Sequence, residues 1–373
     1  MNRAGRSTPP RSDAEIQRIL NVLRAGLDAD ACALFLYADG LLIVRALAGE
    51  GRRFGLVPGA CRALVGPPSL AALLPEHARD ATIGSYLGVP VPLRDGRRGA
   101  VLCAFRAHAE PTWGRRDRRL ATVLGELVAD ELELESERLH QAETIRASFV
   151  GRELPMVFQP AFELGSGELV AYEALARFPD EPTRPTAAWF AVADELGIGV
   201  ELELAAVEAA LAQLDNLPAG VLLSLNISPA AAIAPEFADL VAPVAERLVI
   251  ELTEHTSIDD YGPLGTVLAR LRARGAKLAV DDVGAGYASL RHILHLAPDI
   301  VKLDLSLTRD IDSDSSRRAL TSALVDFAYG MGATMAAEGI ESEGEFALLR
   351  ELGVSQGQGY YLGRPAELAE QLH

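Results

Sequence analysis

The sequence has no long uninterrupted apolar segment. Although 49% of its 373 residues are hydrophobic, no apolar run reaches the roughly 18 residues that a membrane-spanning helix requires. The opening stretch, residues 1–13, is polar and lacks the apolar centre of a secretory signal. We therefore expect a soluble, cytoplasmic protein that has no membrane partner.

Cysteine is also scarce. The chain has three, Cys32, Cys61 and Cys103, which are an odd number, lie far apart and form no CxxC pair. Two interpretations stay open: buried reduced thiols, or thiols that bind a ligand or sense redox state. The first is favoured because a free cysteine usually behaves as a small apolar residue.

Basic residues are outnumbered. Lys and Arg total 35 against 52 Asp and Glu, which gives a formal net charge of −17. A nucleic-acid polymer is not an expected partner, because binding along its phosphates needs a basic stripe. A small anionic substrate remains compatible with this charge where metal cations neutralise the local field.

The length exceeds that of one usual domain, so we expect two. Residues 31–106 contain apolar runs joined by Asp-Gly dipeptides at 39–40 and 95–96. Asp-Gly between apolar runs is a hairpin signal, because both residues of such a turn favour positive φ. With the amphipathic stretch at residues 13–27 before these runs and a longer one after them, the pattern predicts an α+β domain with an antiparallel sheet.

The segment IGSYLGVPVPLRDGRRGAVLCAF resembles the corresponding strands of GAF domains, a family of small-molecule and signal sensors. The resemblance covers residues 12–140 and implies a sensory or regulatory domain. Its ligand stays open: a cyclic nucleotide, a small metabolite, a gas-binding haem, or none. A covalent tetrapyrrole is not expected, because the motif that phytochromes place around their chromophore does not occur.

A connecting helix is predicted over residues 115–149, which contain no proline. Leu120, Leu127 and Leu134 recur every seven residues, with Val123 between the first two. This spacing suits a helix that pairs with a copy of itself, so we expect a homodimer. The alternative is one long helix that packs on its own sheet and leaves its acidic residues solvated.

Beyond residue 150 the pattern changes to eight short β-like runs that alternate with amphipathic stretches of helical length. Such alternation is typical of βα units. Eight strands in residues 150–373 predict a parallel, closed (β/α)8 TIM-like barrel.

Polar residues stand near the ends of strands that are otherwise rich in Val, Leu and Ile. They are Glu173, Asn226, Glu251, Asp281 with Asp282, Lys302 with Asp304, Glu338 and Gln358. In a parallel barrel these ends meet on one face, where active sites are built. Any single acid could instead cap a helix or end a solvated loop.

This set predicts a metal centre, since burying so many acids without cations would cost several kcal/mol each. Oxygen ligands select magnesium or manganese rather than zinc. The adjacent Asp281 and Asp282 suit two ions, of which one carboxylate bridges both. Paired ions are a common arrangement for phosphoester cleavage.

The ordered motifs resemble an EAL domain, the family of cyclic di-GMP phosphodiesterases. They are Glu173-Ala174-Leu175 with Arg177, LNISP, ELTE, DDVGAGYASL, VKLD, AEGIE and QGY, within residues 152–369. The resemblance implies an EAL-type barrel that hydrolyses cyclic di-GMP to linear 5′-pGpG with two Mg²⁺ or Mn²⁺ ions.

The resemblance also implies a role for each matched residue. Glu173, Asn226, Glu251 and Asp281 would hold the first metal, and Asp281, Asp282 and Glu338 the second. Lys302 would meet the attacking water and the phosphate, and Gln358 would assist the metal-bound water. Arg177, Gln159 and Asp304 would contact substrate. Glu254, Gly284 and Gly286 would position the loop after the fifth strand, although Glu254 could instead cap the following helix.

Two departures from the family pattern occur: Val283 replaces the usual aromatic residue, and the segment between Arg177 and Trp189 is short and proline-rich. Neither removes a predicted ligand. Two other functions stay open, namely a catalytically weak cyclic di-GMP receptor and a rigid interaction platform. No GGDEF-like motif occurs, so a partnering cyclase domain is not expected.

Overall fold

Two structural units make up the computed structural model, Met1–Gln141 and Ala142–His373. The structure describes residues 11–38, 41–54, 56–58, 61–63, 83–94, 98–108, 113–151, 154–178, 185–253, 260–283 and 287–371. Among the helices in these ranges, none combines the length and the apolar character needed to cross a membrane.

The first unit is built on a five-stranded antiparallel sheet. Its elements are α1 (Arg11–Gly26), β1 (Ala31–Ala38), β2 (Leu41–Gly49), β3 (Cys61–Ala63), β4 (Ser85–Val91), β5 (Arg98–Arg106) and the first part of α2 (Arg115–Phe149), a helix that continues past Gln141 into the second unit. The strand order is β3-β2-β1-β5-β4. This confirms the predicted antiparallel sheet with helices, whereas both predicted Asp-Gly turns lie outside the described residues.

Each face of this sheet carries its own apolar core, because strand side chains alternate between faces. Cys32 and Leu34 of β1 pack with α1 and α2. Ala33 and Phe35 point to the opposite face, in a cluster with Phe105. The sheet is therefore covered on one side by helices and carries aromatic residues on the other.

The cysteines confirm the buried-thiol interpretation at two of three positions. Cys32 and Cys103 are buried free thiols. Burial raises the pKa of each thiol from its ordinary value of 9.0 to about 12. The Tyr86 hydroxyl lies 3.5 Å from Cys103 Sγ. Cys61 is in β3, and its side chain lies outside the described part of the chain.

Helix α2 packs on its own sheet through one face, as the alternative interpretation held. Ala121, Leu124 and Val128 are buried there. Two of its acidic residues are ion-paired rather than merely solvated, since Glu133 contacts Arg94 and Glu135 contacts Arg45.

The second unit is a closed barrel of eight strands surrounded by helices. Its strands are β6 (Met156–Glu163), β7 (Leu169–Ala176), β8 (Leu222–Ile227), β9 (Leu248–Leu252), β10 (Lys277–Val283), β11 (Ile300–Leu303), β12 (Thr334–Ala337) and β13 (Gln356–Gly357). Its helices are α3 (Thr186–Glu195), α4 (Gly199–Leu211), α5 (Pro229–Ala232), α6 (Pro235–Val241), α7 (Tyr261–Arg272), α8 (Tyr287–Leu296), α9 (Leu305–Thr308), α10 (Ser315–Gly330), α11 (Glu343–Glu351) and α12 (Leu368–Gln371). This confirms the predicted TIM-like barrel.

One strand differs from the predicted all-parallel arrangement. β6 is antiparallel to both of its neighbours, β7 and β13, whereas the other barrel strands pair in parallel. Only residues 164–168 separate β6 from β7, and Gly167 among them has φ +76°. So short a connection can form a hairpin but not the crossover that parallel strands need.

Candidate active site

The polar strand-end residues form the upper of two layers inside the barrel. Six of them lie two positions after a residue of a lower, mostly apolar layer. Residues two positions apart on a strand point to the same side, so the two layers share the interior face of the barrel. The lower residues are Ala171, Ser224, Val249, Ala279, Ile300 and Ala336, and the upper ones are Glu173, Asn226, Glu251, Asp281, Lys302 and Glu338. The strand alternation thus brings the predicted residues to one face.

A cavity of about 40 Å³ lies between these layers. The small side chains Ala161, Ala171, Ala279 and Ala336 line its lower part. Glu173, Glu251, Lys302 and Gln358 close its upper part. The space is therefore a narrow extension of the charged site into the barrel.

Lys302 is the centre of the charged layer, and its side chain is only 4% exposed. Its Nζ lies 2.6 Å from Glu251 Oε2 and 3.6 Å from both Glu173 Oε2 and Asp281 Oδ1. It also contacts Glu338 Oε1. Four carboxylates therefore surround one ammonium, which leaves an excess of buried negative charge.

Amide and hydroxyl groups orient two of these carboxylates. The Asn226 amide donates to Glu173 Oε1 at 2.7 Å, and the Gln358 amide donates to Glu173 Oε2 at 2.5 Å. The Ser224 hydroxyl donates to Glu251 Oε1. Glu173 and Glu251 are therefore held at both of their oxygens.

At each group of this cluster, burial and the neighbouring opposite charges act on the pKa in opposite directions. Burial alone would lower the pKa of Lys302, but Glu173, Glu251, Glu338 and Asp281 outweigh it and hold the pKa well above the ordinary value. Burial raises the pKa of Glu251 to about 7, although Lys302 opposes the rise. Burial likewise raises the pKa of Glu338 well above its ordinary value. Lys302 is therefore a protonated hydrogen-bond donor. Its single positive charge does not offset the cost of burying the ionised carboxylates around it.

The chemistry of this donor set fits hard divalent cations, which prefer carboxylate and amide oxygens. Positive charge would relieve the burial penalty that raises the pKa of Glu251 and Glu338. In the ranges that the structure describes, no three acidic, histidine or cysteine side chains are already arranged as ligands of a single ion. The carboxylates contact the Lys302 ammonium instead.

The predicted substrate residues lie near the rim of this layer. Gln159 pairs with Glu173 across β6 and β7, and its amide donates to the Gly363 carbonyl at 3.2 Å. Arg177 follows β7 and donates to the Ala176 carbonyl at 2.9 Å. Asp304 caps α9 by accepting a bond from the Ser306 N–H at 3.0 Å. Their contacts with substrate stay predictions.

Several predicted positions fall on residues that the structure does not describe. Glu254, Gly284 and Gly286 lie outside the described residues, and so does the side chain of Asp282, whose backbone belongs to β10. Val283, which replaces an aromatic residue of the family pattern, is buried in the barrel core.

Two buried polar residues with structured contacts were not predicted from the sequence. Ser224 contacts Glu251, and its position two residues before Asn226 on the same strand was the available signal. Glu345 is buried and accepts bonds from the backbone N–H groups of Asp310, Glu341 and Ser342. Its signal was the Ser342-x-x-Glu345 capping box.

Two family models match the chain. The EAL domain model matches residues 142–365, and the GAF domain model matches residues 12–132. The first alone covers more than half of the chain, and it includes every strand of the barrel.

Curated relatives match different shares of the chain. An uncharacterised signalling protein of Caulobacter vibrioides is 28% identical over 95% of this chain and 44% of its own length. A cyclic di-GMP phosphodiesterase of Pseudomonas aeruginosa is 32% identical over 58% of this chain and 39% of its own length. The chain thus spans less than half the length of these relatives.

A solved structure supports the fold assignment. The MucR phosphodiesterase of Pseudomonas aeruginosa, in complex with cyclic di-GMP, is 27% identical with a TM-score of 0.55. The match covers 64% of this chain and all of that one.

Proposed function

The chain belongs to the EAL domain family, and on this premise we propose that its barrel hydrolyses cyclic di-GMP to linear 5′-pGpG with two divalent metal ions. The observation that carries the proposal is the buried Lys302 ammonium among four carboxylates at the strand ends. A further support is that a relative and a structural neighbour bear the name of this phosphodiesterase activity.

The proposed ligands are divided between the two ions. Glu173, Asn226, Glu251 and Asp281 would hold one ion, and Asp281, Asp282 and Glu338 would hold the other, so that Asp281 would serve both. When bound, magnesium or manganese would supply the Lewis acidity that activates a water and offsets charge on the departing oxygen. The carboxylates around Lys302 outnumber its single positive charge, so they would attract both cations.

The chain's own residues bind, orient and donate. Lys302, being protonated, donates hydrogen bonds to the attacking water and to a phosphate oxygen. Gln358, whose amide contacts Glu173, helps orient the water, while Arg177, Gln159 and Asp304 hold the nucleotide. The water oxygen bonds to phosphorus, one P–O3′ bond breaks, and the proton that the water loses is balanced by the proton that O3′ gains.

The decisive experiment is incubation of the purified chain with cyclic di-GMP and Mg²⁺ or Mn²⁺, with products separated by chromatography. We expect one 5′-pGpG for each cyclic dinucleotide consumed. Tight retention without turnover would instead identify a receptor, and neither binding nor turnover would identify a platform. Calcium should support little turnover, because its coordination is longer and less regular than that of magnesium.

A ligand variant tests the site within the same assay. Asp281→Ala should lower turnover by orders of magnitude, because it removes a ligand of both proposed ions. Far-UV circular dichroism should be unchanged. If the variant kept more than about a tenth of the activity, the shared-ligand assignment would be wrong.

We also propose that the GAF unit regulates the barrel and that the chain acts as a homodimer. The two regions are joined by one helix, α2. Its residues 115–149 contain a single glycine, Gly125, so they do not have the composition of a flexible linker. Removal of residues 1–140 should change turnover per barrel several-fold. Equal turnover in the full chain and the truncated one would oppose regulation by this unit.

A further inference from the structure

Helix α2 exposes a continuous stripe on the side away from its own sheet. Val123, Leu127 and Leu134 are 48%, 47% and 43% exposed, which is high for large apolar side chains. At 100° per residue, seven exposed positions fall within an arc of about 80°. This outer face consists of Arg116, Arg119, Val123, Leu127, Asp130, Leu134 and Glu137.

Charge is segregated along the same helix. Residues 115–119 hold four arginines and one aspartate, whereas residues 126–137 hold five glutamates, one aspartate and no basic residue. Two of these glutamates are engaged within the unit, Glu133 with Arg94 and Glu135 with Arg45, and neither belongs to the outer face. The outer face is therefore basic at one end, apolar at its centre and acidic at the other end.

We propose that two copies of the chain associate through this outer face with their α2 helices antiparallel. An antiparallel pair centred on Leu127 places Arg116 of one copy opposite Glu137 of the other. Leu127 of one copy meets Leu127 of the other at the centre. A parallel pair would place arginine against arginine and acid against acid, which is unfavourable at each end.

A second copy is the occupant that this face fits, because its complement is the same face turned end for end. The basic end and the acidic end lie at nearly equal distances from Leu127, eleven residues away at Arg116 and ten at Glu137. A symmetric pair requires such a self-complementary surface. The inference rests on the proposed homodimer and is independent of cyclic di-GMP hydrolysis.

Cross-linking between copies distinguishes the two directions. In a full-length background with Cys61→Ser, we would prepare Arg119→Cys and Leu134→Cys as two differently tagged chains and add a short bismaleimide. These positions lie 15 residues apart, or about 22 Å along a helix. An antiparallel pair should join position 119 of one copy to position 134 of the other. Products joining 119 to 119 and 134 to 134 would overturn the proposal.

Charge reversal gives an independent measurement by sedimentation. Arg116→Glu with Arg119→Glu should weaken self-association at least tenfold, and adding Asp130→Arg with Glu137→Arg should restore it. Added salt should weaken the wild-type pair, because screening reduces attraction between opposite charges. A pair that salt strengthens, or a chain that is monomeric at all concentrations, would also overturn the proposal.

Leu139→Glu is the matched control. Leu139 is an exposed leucine of α2 that lies about 120° around the helix from Leu127, outside the outer face. This variant should associate as the wild type does, whereas Leu127→Glu should not. Equal association of both variants would overturn the assignment of this face, and cyclic di-GMP turnover, measured in parallel, would report separately on the proposed chemistry.

Discussion

Glu251 is held at both carboxylate oxygens by side chains of its own barrel. Ser224 donates to Oε1, and Lys302 Nζ lies 2.6 Å from Oε2. Ser224 is itself buried beneath the charged layer, so its hydroxyl cannot be replaced by bulk water. We regard Ser224 as a positioning residue that fixes the orientation of a proposed metal ligand.

Ser224→Ala should weaken Mn²⁺ binding and lower turnover about tenfold, because loss of a group that orients a ligand typically costs 10- to 100-fold. Calorimetric titration with Mn²⁺ measures the affinity. Thr321→Val is the matched control, since Thr321 is a buried hydroxyl outside the barrel interior, in α10. An unchanged affinity in Ser224→Ala would remove its positioning role.

The two buried thiols predict an alkaline limit to stability. Because the folded pKa of Cys32 and Cys103 is about 12 and the ordinary value is 9.0, the folded state holds these protons more tightly. Their contribution is complete below about pH 9 and is lost as the pH rises toward 12. Denaturant unfolding at pH 8 and at pH 10.5 should show a larger loss for the wild type than for a Cys32→Ala, Cys103→Ala variant. Equal losses would contradict the buried-thiol argument.

The sequence predicted which residues come together in the candidate site, but not the other hydrogen bonds that some of them make. Alternation along each strand was sufficient to bring Glu173, Glu251 and Lys302 together, because an inward residue two positions from another shares its face. Asp304 follows the same strand-end pattern, yet its carboxylate caps α9. A pattern in sequence does not show which hydrogen bond a carboxylate makes, because that depends on backbone groups placed by the fold.

At the scale of single elements, α11 begins with a capping box that also holds two loops. Glu345 completes the box with Ser342 and accepts further bonds from Asp310 and Glu341. Burial opposes these contacts, but the three backbone donors hold the pKa of Glu345 below its ordinary value. One carboxylate thus joins the segments that follow β11 and β12, close in sequence to Glu338.

Glu345→Ala should lower the free energy of unfolding by about 2 kcal/mol, because it removes the charged acceptor of three backbone N–H groups. It should also lower turnover, since the segment after Glu338 loses its support. Glu343→Ala, an exposed acid in the same first turn, should have little effect on either quantity. Urea unfolding of both variants measures the difference, and equal stabilities would contradict the role of Glu345.

The existence of β6 was predicted, but its direction was not. Its apolar run reads like the other barrel strands, because direction leaves no trace in a strand's own side-chain pattern. The signal lay in the five-residue connection with Gly165 and Gly167, which is too short for a crossover. Pairing direction is therefore determined by connection length rather than by strand composition.

For the whole molecule, the sequence predicted two modules, and each structural unit has its own apolar core. The sequence did not show which residues the C-terminal end of α2 packs against. Phe149 belongs to a buried cluster with Ala176 and Phe178, which flank Arg177 in sequence. This packing joins distant segments of the second unit, and such long-range contacts follow from the completed fold alone.

Phe149→Leu should raise KM for cyclic di-GMP several-fold with little change in kcat, because it loosens the cluster beside Arg177, a proposed substrate contact. Phe237→Leu is the matched control: Phe237 is fully buried in α6, away from this cluster. Steady-state kinetics with both variants decides the point. A rise in KM for both would indicate general destabilisation instead.

The reversed direction of β6 determines where the chain enters the barrel. In an all-parallel barrel the first strand starts at the end opposite the active site. Here Met156 pairs with Ala176, and the Arg177 N–H donates to the Pro155 carbonyl at 2.8 Å, so the entry point lies at the rim beside Arg177. The eight residues of β6 would otherwise separate the two by about 26 Å. Because Phe149 at the end of α2 shares a buried cluster with Ala176 and Phe178, a displacement there reaches the neighbours of Arg177, a group proposed to hold the nucleotide, without crossing the height of the barrel.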